Sequence, residues 1–146
     1  MKQDAPLLTM LAIDDELTIQ QIIKYYFRND FTVITKDNGS AALSWMQEGN
    51  IPDVIVVDFD MPHMNGLSFI SQVRSSGYLR NTPVLMLSGS VDSNMKIQCL
   101  ESGADDFLFK PFNPRELAAR LNGIIRRNLT NYHVKATGDV EVIQVL

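Results

Sequence analysis

Asp53-Val54-Ile55-Val56-Val57-Asp58-Phe59-Asp60-Met61-Pro62-His63-Met64-Asn65-Gly66 is the stretch on which the fold turns. Val54 to Val57 is apolar without a break, as a strand covered on both faces must be, and it stops at a carboxylate. A loop follows. Beyond it Leu67, Phe69, Ile70 and Val73 put an apolar stripe on a helix over Gly66–Ser75, which Gly77 ends. An apolar strand, an acid at its carboxyl end and a covering helix make one βα unit. The same kind of unit recurs on both sides of it, with no repeat of the sequence itself.

Strands are expected at Leu7–Ile13, Phe31–Thr35, Asp53–Val57, Pro83–Leu87 and Phe107–Phe109. The first, third and fourth are apolar almost throughout, whereas the second is shorter and more polar, as an edge strand is. The intervening helices carry their own signatures. Ile19, Ile22, Ile23, Tyr26 and Phe27 form one stripe, Ala41–Gln47 a second helix stopped by Gly49, and Asp92–Ser102 a fourth with Gly103 as its cap. The fifth opens with Asn113 at the N-cap, Pro114 at the first turn and Glu116 at the third helical position. Leu117, Leu121, Ile124 and Ile125 follow. Strands each followed by a helix imply an α/β fold, a parallel sheet with right-handed crossovers and helices on both faces. Of the two common doubly wound orders, five strands favour 2-1-3-4-5, an order borrowed from known sheets of this kind rather than derived from these residues.

The 146 residues suit one domain, and 45 % hydrophobic with 21 % charged residues is an ordinary globular balance. A net charge of −4 argues against non-specific polyanion binding by this chain. The single cysteine, Cys99, excludes an internal disulfide framework, and with only His63 and His133 besides it a structural zinc site is not expected. The N-terminal segment meets Asp14-Asp15 too soon for a signal peptide, and nothing later is long and apolar enough to span a bilayer, so the cytoplasm is the expected compartment. Trp45, Met46 and Cys99 read as packing residues and His63 as loop surface.

In doubly wound sheets the site lies beyond the carboxyl ends of the central strands. Asp14-Asp15 follow the first strand, Asp58 the third, Ser88 the fourth and Lys110 the fifth. Each alone has an ordinary reading: a helix N-terminal charge, a strand end, a turn, a solvated lysine. Together they bring three carboxylates, a hydroxyl and an ammonium to one edge. Crowded carboxylates raise one another's pKa unless a cation offsets them, and Mg²⁺ suits an all-oxygen ligand set. Asp58 can then serve as a nucleophile that forms an acyl phosphate, with the metal and Lys110 neutralising the transferring group.

The run Asp58 to Gly66 resembles the D-x-x-M-P-x-M-x-G signature of response-regulator receiver domains, and Gly103-Ala104-Asp105-Asp106-Phe107-Leu108-Phe109-Lys110-Pro111-Phe112 resembles their G-A-D-D-[YF]-x-x-K-P-F segment. The resemblance covers roughly residues 7–127 and implies a flavodoxin-like (βα)5 fold. It implies that Asp58 accepts a phosphoryl group from a sensor histidine kinase. Asp15, Asp14, Asp58 and the backbone carbonyl of Asp60 would hold Mg²⁺, with Asp14 acting through water. Ser88 would bond the phosphoryl group and Lys110 would pair with it. Phe107 would be the switch aromatic that turns inward as Ser88 moves, and Lys110–Pro111 would be cis. Ser88 stands where threonine is common and Phe107 where tyrosine is frequent. Asp60 is acidic at a position that varies. Such a domain is a signalling switch rather than an enzyme.

The chief enzyme alternative is a haloacid-dehalogenase-like phosphatase using Asp58 and Asp60 as its D-x-D pair. That motif normally follows the first strand and needs a later acidic pair, which is missing after Lys110. A phosphorylation-independent pseudo-receiver is the interaction-module alternative. Residues 5–128 are expected to be the receiver. Residues 129–146, with Thr130, Asn131, Gly138 and Val140 to Leu146, are expected to be a linker or tail, or the start of a truncated output domain. Glu116 to Arg120 and Arg126-Arg127 are similar to receivers that precede winged-helix DNA-binding domains. This implies a phosphorylation-dependent homodimer through Lys96, Asp105, Asp106, Glu116 and Arg120, with Lys96 meeting Glu116 and Asp106 meeting Arg120 across a two-fold axis. Nucleic acid would be reached only through such an output domain.

Overall fold

The computed structural model describes residues 6–90 and 92–128, and beyond them the backbone of two short strands. Strands and helices alternate: β1 (Leu8–Ile13), α1 (Leu17–Tyr26), β2 (Phe31–Lys36), α2 (Gly39–Gln47), β3 (Val54–Asp58), α3 (Gly66–Ser75), β4 (Val84–Ser88), α4 (Ser93–Glu101), β5 (Asp106–Phe109) and α5 (Pro114–Asn128). The strands form one parallel sheet in the order β2-β1-β3-β4-β5, the expected doubly wound topology. β2 lies at one edge, which accounts for its polar residues.

Successive side chains of a strand point to opposite faces, so the sheet feeds two cores. Leu11, Ile13, Ile55, Val57, Met86 and Phe107 pack under α2, α3 and α4 against Met46, Phe69, Ile70 and Cys99. Met10, Ala12, Val56, Leu85, Leu87 and Leu108 pack under α1 and α5 against Ile23, Phe27, Leu117 and Leu121. Met46 and Cys99 are fully buried and Trp45 packs against the first core, as expected of packing residues.

The departures from expectation are local. Asp58 and Ser88 close their strands instead of following them. α2 begins at Gly39, because the Asn38 side chain accepts a hydrogen bond from the Ala41 amide at 2.7 Å and caps the helix. The α1 stripe is narrower than its spacing suggested. Ile22 and Tyr26 are exposed, while Gln20 is buried because its amide finds partners inside. β6 (Tyr132–Val134) and β7 (Val140–Val142) pair antiparallel, within the segment expected to be a linker, tail or opening strand. Thr130, Asn131, Gly138 and the residues after Val142 lie outside the described residues. Among the described residues no helix is long and apolar enough to cross a membrane.

Near the end of α3 the Arg74 guanidinium donates to the carbonyls of Thr82 (2.6 Å), Gly103 (2.7 Å) and Arg80 (2.9 Å), and pairs with Asp105 at 3.1 Å. The same Asp105 carboxylate accepts from the Val84 amide at 2.8 Å. Arg74 thus ties the entry of β4 to the turn before β5. Gly103, at φ +113°, lies in left-handed backbone, and a Cβ there would also meet the Arg74 side chain at 2.9 Å. Arg74→Ala strands these carbonyls and the Asp105 charge. It should lower stability in equilibrium urea unfolding by about 2–3 kcal/mol. Arg74→Lys should recover only part of the loss, since an ammonium cannot reproduce the planar fork. A loss within the error of the urea midpoint would remove Arg74 from this role.

Candidate functional site

The carboxyl ends of β1, β3, β4 and β5 deliver Asp14, Asp58, Ser88 and Lys110 to one edge of the sheet, as the sequence predicted. Their backbone is held by bonds that continue the sheet. Asp14 N donates to Lys36 O (3.1 Å), Phe59 N to Leu87 O (2.7 Å) and Lys110 N to Ser88 O (2.7 Å). Gly66 closes the loop after β3 tightly, since a Cβ there would lie 2.9 Å from the Phe59 Cα. The Lys110–Pro111 peptide is cis.

Asp14, Asp58 and Ser88 are buried, at 1 %, 1 % and 0 % exposure, while Asp15 is exposed. Lys110 Nζ reaches Asp14 Oδ2 at 2.8 Å, Asp58 Oδ2 at 3.4 Å and Glu16 Oε1 at 3.5 Å. Burial pushes the Asp58 carboxyl up to about 6, with the nearby Asp14 charge adding to the rise and Lys110 opposing it. Burial likewise raises Asp14, outweighing its hydrogen bond from Lys110. Burial also opposes the Lys110 charge. The bond to Asp14 and the fields of Asp58, Asp14 and Glu16 overcome it and hold the ammonium above its ordinary value. Asp14, Asp15 and Asp58 each offer an oxygen within 4.8 Å of the others, a cluster able to hold a metal ion.

Asp60 stands two residues past Asp58, in the loop between β3 and α3. Its backbone amide donates to Asp58 Oδ1 at 3.2 Å, and its carboxylate turns toward β4, accepting from Gly89 N at 3.3 Å and from Ser88 Oγ at 3.4 Å. The Phe107 ring lies inward at 3 % exposure, edge-on to Phe109 with centroids 5.2 Å apart. A phenyl ring has no hydroxyl to keep at the surface, so burial is its ordinary resting place. His63 is exposed in the loop at φ +68°.

The expected dimer-face charges have partners inside the chain. Arg120 pairs with Asp106 at 3.2 Å and approaches Glu116 at 3.8 Å, Asp105 belongs to Arg74, and Lys96 Nζ lies 5.6 Å from the centre of the Phe109 ring. Sequence reasoning missed Glu16 and Gln20. Gln20 Nε2 donates to Asp14 O and to Asp37 Oδ1, both at 2.7 Å, and so holds the acidic loop against the end of β2. A glutamine inside the apolar stripe of α1 was the available signal.

A doubly wound parallel sheet with buried aspartates, a serine and a lysine at four strand ends defines a receiver-type phosphoryl-signalling domain. The chain belongs to the response-regulator receiver family, whose receiver-domain model matches residues 10–122. It is 38 % identical over 120 residues to the alkaline phosphatase synthesis transcriptional regulatory protein PhoP of Bacillus subtilis (strain 168), covering 82 % of this chain and 49 % of that protein. It is 31 % identical over 119 residues to the phosphate regulon transcriptional regulatory protein PhoB of Escherichia coli (strain K12), covering 81 % and 52 %. The chain therefore spans about half the length of these relatives. Its fold is similar to the chemotaxis response regulator CheY4 of Vibrio cholerae, with TM-score 0.76, 33 % identity, and 81 % of this chain and 98 % of that one covered. Receiver domains are phosphoryl-accepting switches. The family match sets aside the haloacid-dehalogenase-like reading.

The raised Asp58 carboxyl has a consequence for stability. A group whose folded pKa lies above its ordinary 3.8 stabilises the fold in its protonated form. That contribution is complete below the ordinary value and is lost as pH rises through about 6. In chelator, wild type should lose stability relative to Asp58→Asn across this window, by on the order of 2–3 kcal/mol. Denaturant unfolding of both proteins at a series of pH values measures the difference. Parallel profiles would contradict the assignment of the shift to Asp58.

Proposed function

We propose that Asp58 takes a phosphoryl group from the phosphohistidine of a sensor histidine kinase, in a site that also holds Mg²⁺. The observation that supports this most is the Lys110 ammonium, held between Asp14 and Asp58 at the strand ends with the Ser88 hydroxyl on the adjoining strand. An Asp58 oxygen attacks phosphorus, the new O–P bond forms as the P–N bond breaks, and the electron pair leaves with the imidazole, which takes a proton from solvent. Lys110 neutralises charge on the transferring oxygens, and the Ser88 hydroxyl and Gly89 amide donate to them. The Asp60 amide, 3.2 Å from Asp58 Oδ1, orients the attacking carboxylate.

The donor set fits a hard divalent cation. Asp14, Asp15 and Asp58 offer only oxygens, and among the described residues the ammonium that pairs with Asp58 is that of Lys110. Asp15, Asp14 and Asp58, with the Asp60 carbonyl, would hold Mg²⁺. Bound there, the ion supplies further positive charge for the phosphoryl oxygens. We read residues 5–128 as the receiver and 129–146 as a linker or tail, or the start of an output domain. The free, buried Cys99 accords with a reducing compartment, the cytoplasm.

Incubation with acetyl phosphate and Mg²⁺ should add one phosphoryl group, labile to hydroxylamine, and Asp58→Asn should abolish it. Full, stable labelling of Asp58→Asn would overturn the assignment. Asp15→Ala should keep the fold and weaken Mg²⁺ binding in a fluorescence or calorimetric titration. An unchanged affinity would move the metal elsewhere.

The same reading extends to a phosphorylation-dependent dimer through α4, β5 and α5. Ile97 and Leu100 are exposed there at 49 % and 40 %, beside Lys96, and exposed ion pairs contribute only about 0–1 kcal/mol each. The apolar side chains would hold the dimer and the charges would set its register. Because Asp106 and Arg120 already pair within the chain, a cross-chain pair exchanges one partner for an equivalent one. Sedimentation with a beryllofluoride phosphoryl mimic should show a dimer, which Arg120→Glu weakens and added Asp106→Arg partly restores. A mimic-bound chain that stays monomeric at high concentration removes this interface.

A further inference from the structure

The Asp60 side chain has a position that the phosphoacceptor reading does not use. It leaves the Asp14, Asp15 and Asp58 cluster and turns to the end of β4, where one oxygen, Oδ2, accepts from both the Ser88 hydroxyl (3.4 Å) and the Gly89 amide (3.3 Å). Ser88 is fully buried, and its hydroxyl has a single proton to give. Its oxygen already accepts from Ser90 N at 3.1 Å, so its capacity within the site is committed: a lone pair to Ser90 and the proton to Asp60. Gly89 N–H is likewise committed. These are the two donors that a phosphoryl oxygen on Asp58 needs. A carboxylate oxygen and a phosphoryl oxygen are both anionic acceptors with the same geometric demands.

We propose that the Asp60 carboxylate is an internal competitor for the phosphoryl group, occupying the Ser88 and Gly89 donors until a phosphoryl group displaces it. The inference rests on Asp58 being the phosphoacceptor and adds a positioning residue to that site. Two effects follow from the same contact. Displacement opposes phosphoryl entry, because two hydrogen bonds must be broken before two can form and the displaced charge stays nearby. The contact also holds the Ser88 hydroxyl toward the site in the absence of phosphate, so part of the rearrangement expected of the switch is already made. Asp60 is exposed, so the displaced carboxylate can turn to water without being stranded. Its backbone stays in place on Asp58 throughout.

The test uses the whole chain with Mg²⁺, with beryllofluoride as the phosphoryl probe. Asp60→Ala should bind beryllofluoride more tightly, by roughly three- to tenfold for the loss of hydrogen bonds of this kind. It should also be labelled faster by acetyl phosphate. Asp60→Asn, which keeps an acceptor without the charge, should fall between wild type and Asp60→Ala. Loss of a nearby negative charge could by itself tighten anion binding, so a second readout isolates the contact. Before any probe is added, the Gly89 amide of Asp60→Ala should move upfield and exchange faster than in wild type. With beryllofluoride bound, the Gly89 amides of the two proteins should converge. An unchanged Gly89 amide, or an affinity that is unchanged or weaker in Asp60→Ala, overturns the proposal while leaving the phosphoacceptor reading intact. If neither wild type nor variant takes up beryllofluoride or label, the phosphoacceptor reading fails and this inference falls with it.

Discussion

The Lys110 ammonium reaches from the end of β5 across the mouth of the sheet to Asp14 just past β1 and Asp58 on β3, at 2.8 Å and 3.4 Å. Those strands are not its neighbours in the sheet, since β4 separates β5 from β3. Two aspartates buried this deeply are costly to ionise, and they repel each other as well. A flexible four-carbon stem carrying a point charge is suited to spanning such a gap, and the backbone bond from Lys110 N to Ser88 O anchors its base. The compensation is partial, and the Asp58 carboxyl still lies near 6. An arrangement left short of positive charge in this way could hold a further cation, and the proposed phosphoryl transfer draws on that setting. The chemistry of the site follows from that imbalance.

The strands were legible because the sheet is covered on both faces, whereas their order was borrowed from known sheets of this kind. Val54 to Val57 and Val84 to Leu87 have no polar interruption, which only a doubly covered strand requires, and the carboxylates and lysine stand where such strands end. What could not be read were contacts between groups distant in sequence. Arg74 and Asp105 pair across 31 positions, and neither has a local pattern that announces the other. Gln20 was hidden for the opposite reason. A polar residue in an apolar stripe reads as an interruption until its partners, Asp14 O and Asp37, are brought beside it by the fold. The charges of α5 illustrate a third limit. The resemblance to receivers that precede winged-helix domains matched Asp106 with Arg120, but it could not distinguish a pair within one chain from a pair between two.

Acidic residues near Asp58 serve different ends according to which backbone carries them. Asp14 is turned inward to the lysine, and Asp15, the next residue, is exposed and free to ligate from outside. Glu16 reaches the same lysine from the solvent side, while its backbone amide donates to Asp14 at 2.9 Å and steadies the inner carboxylate. Asp60 belongs to another strand end and faces β4 instead. Charge counting alone would group all five acids together. Their directions separate the cluster of Asp14, Asp15 and Asp58, which the lysine enters, from Asp60, whose carboxylate lies on the Ser88 and Gly89 donors at the end of β4.

The alternation of side chains along β5 puts Phe107 in the core under α2, α3 and α4, and Leu108 in the core under α1 and α5. The two layers of oil are divided by a hydrogen-bonded partition of peptide groups. Repacking in one compartment therefore need not disturb the packing of the other. The helix α5 is rooted in the compartment of α1. From there it reaches the edge strand of the sheet, where Arg120 grips Asp106 at the start of β5, as a clasp joins a cover to its binding.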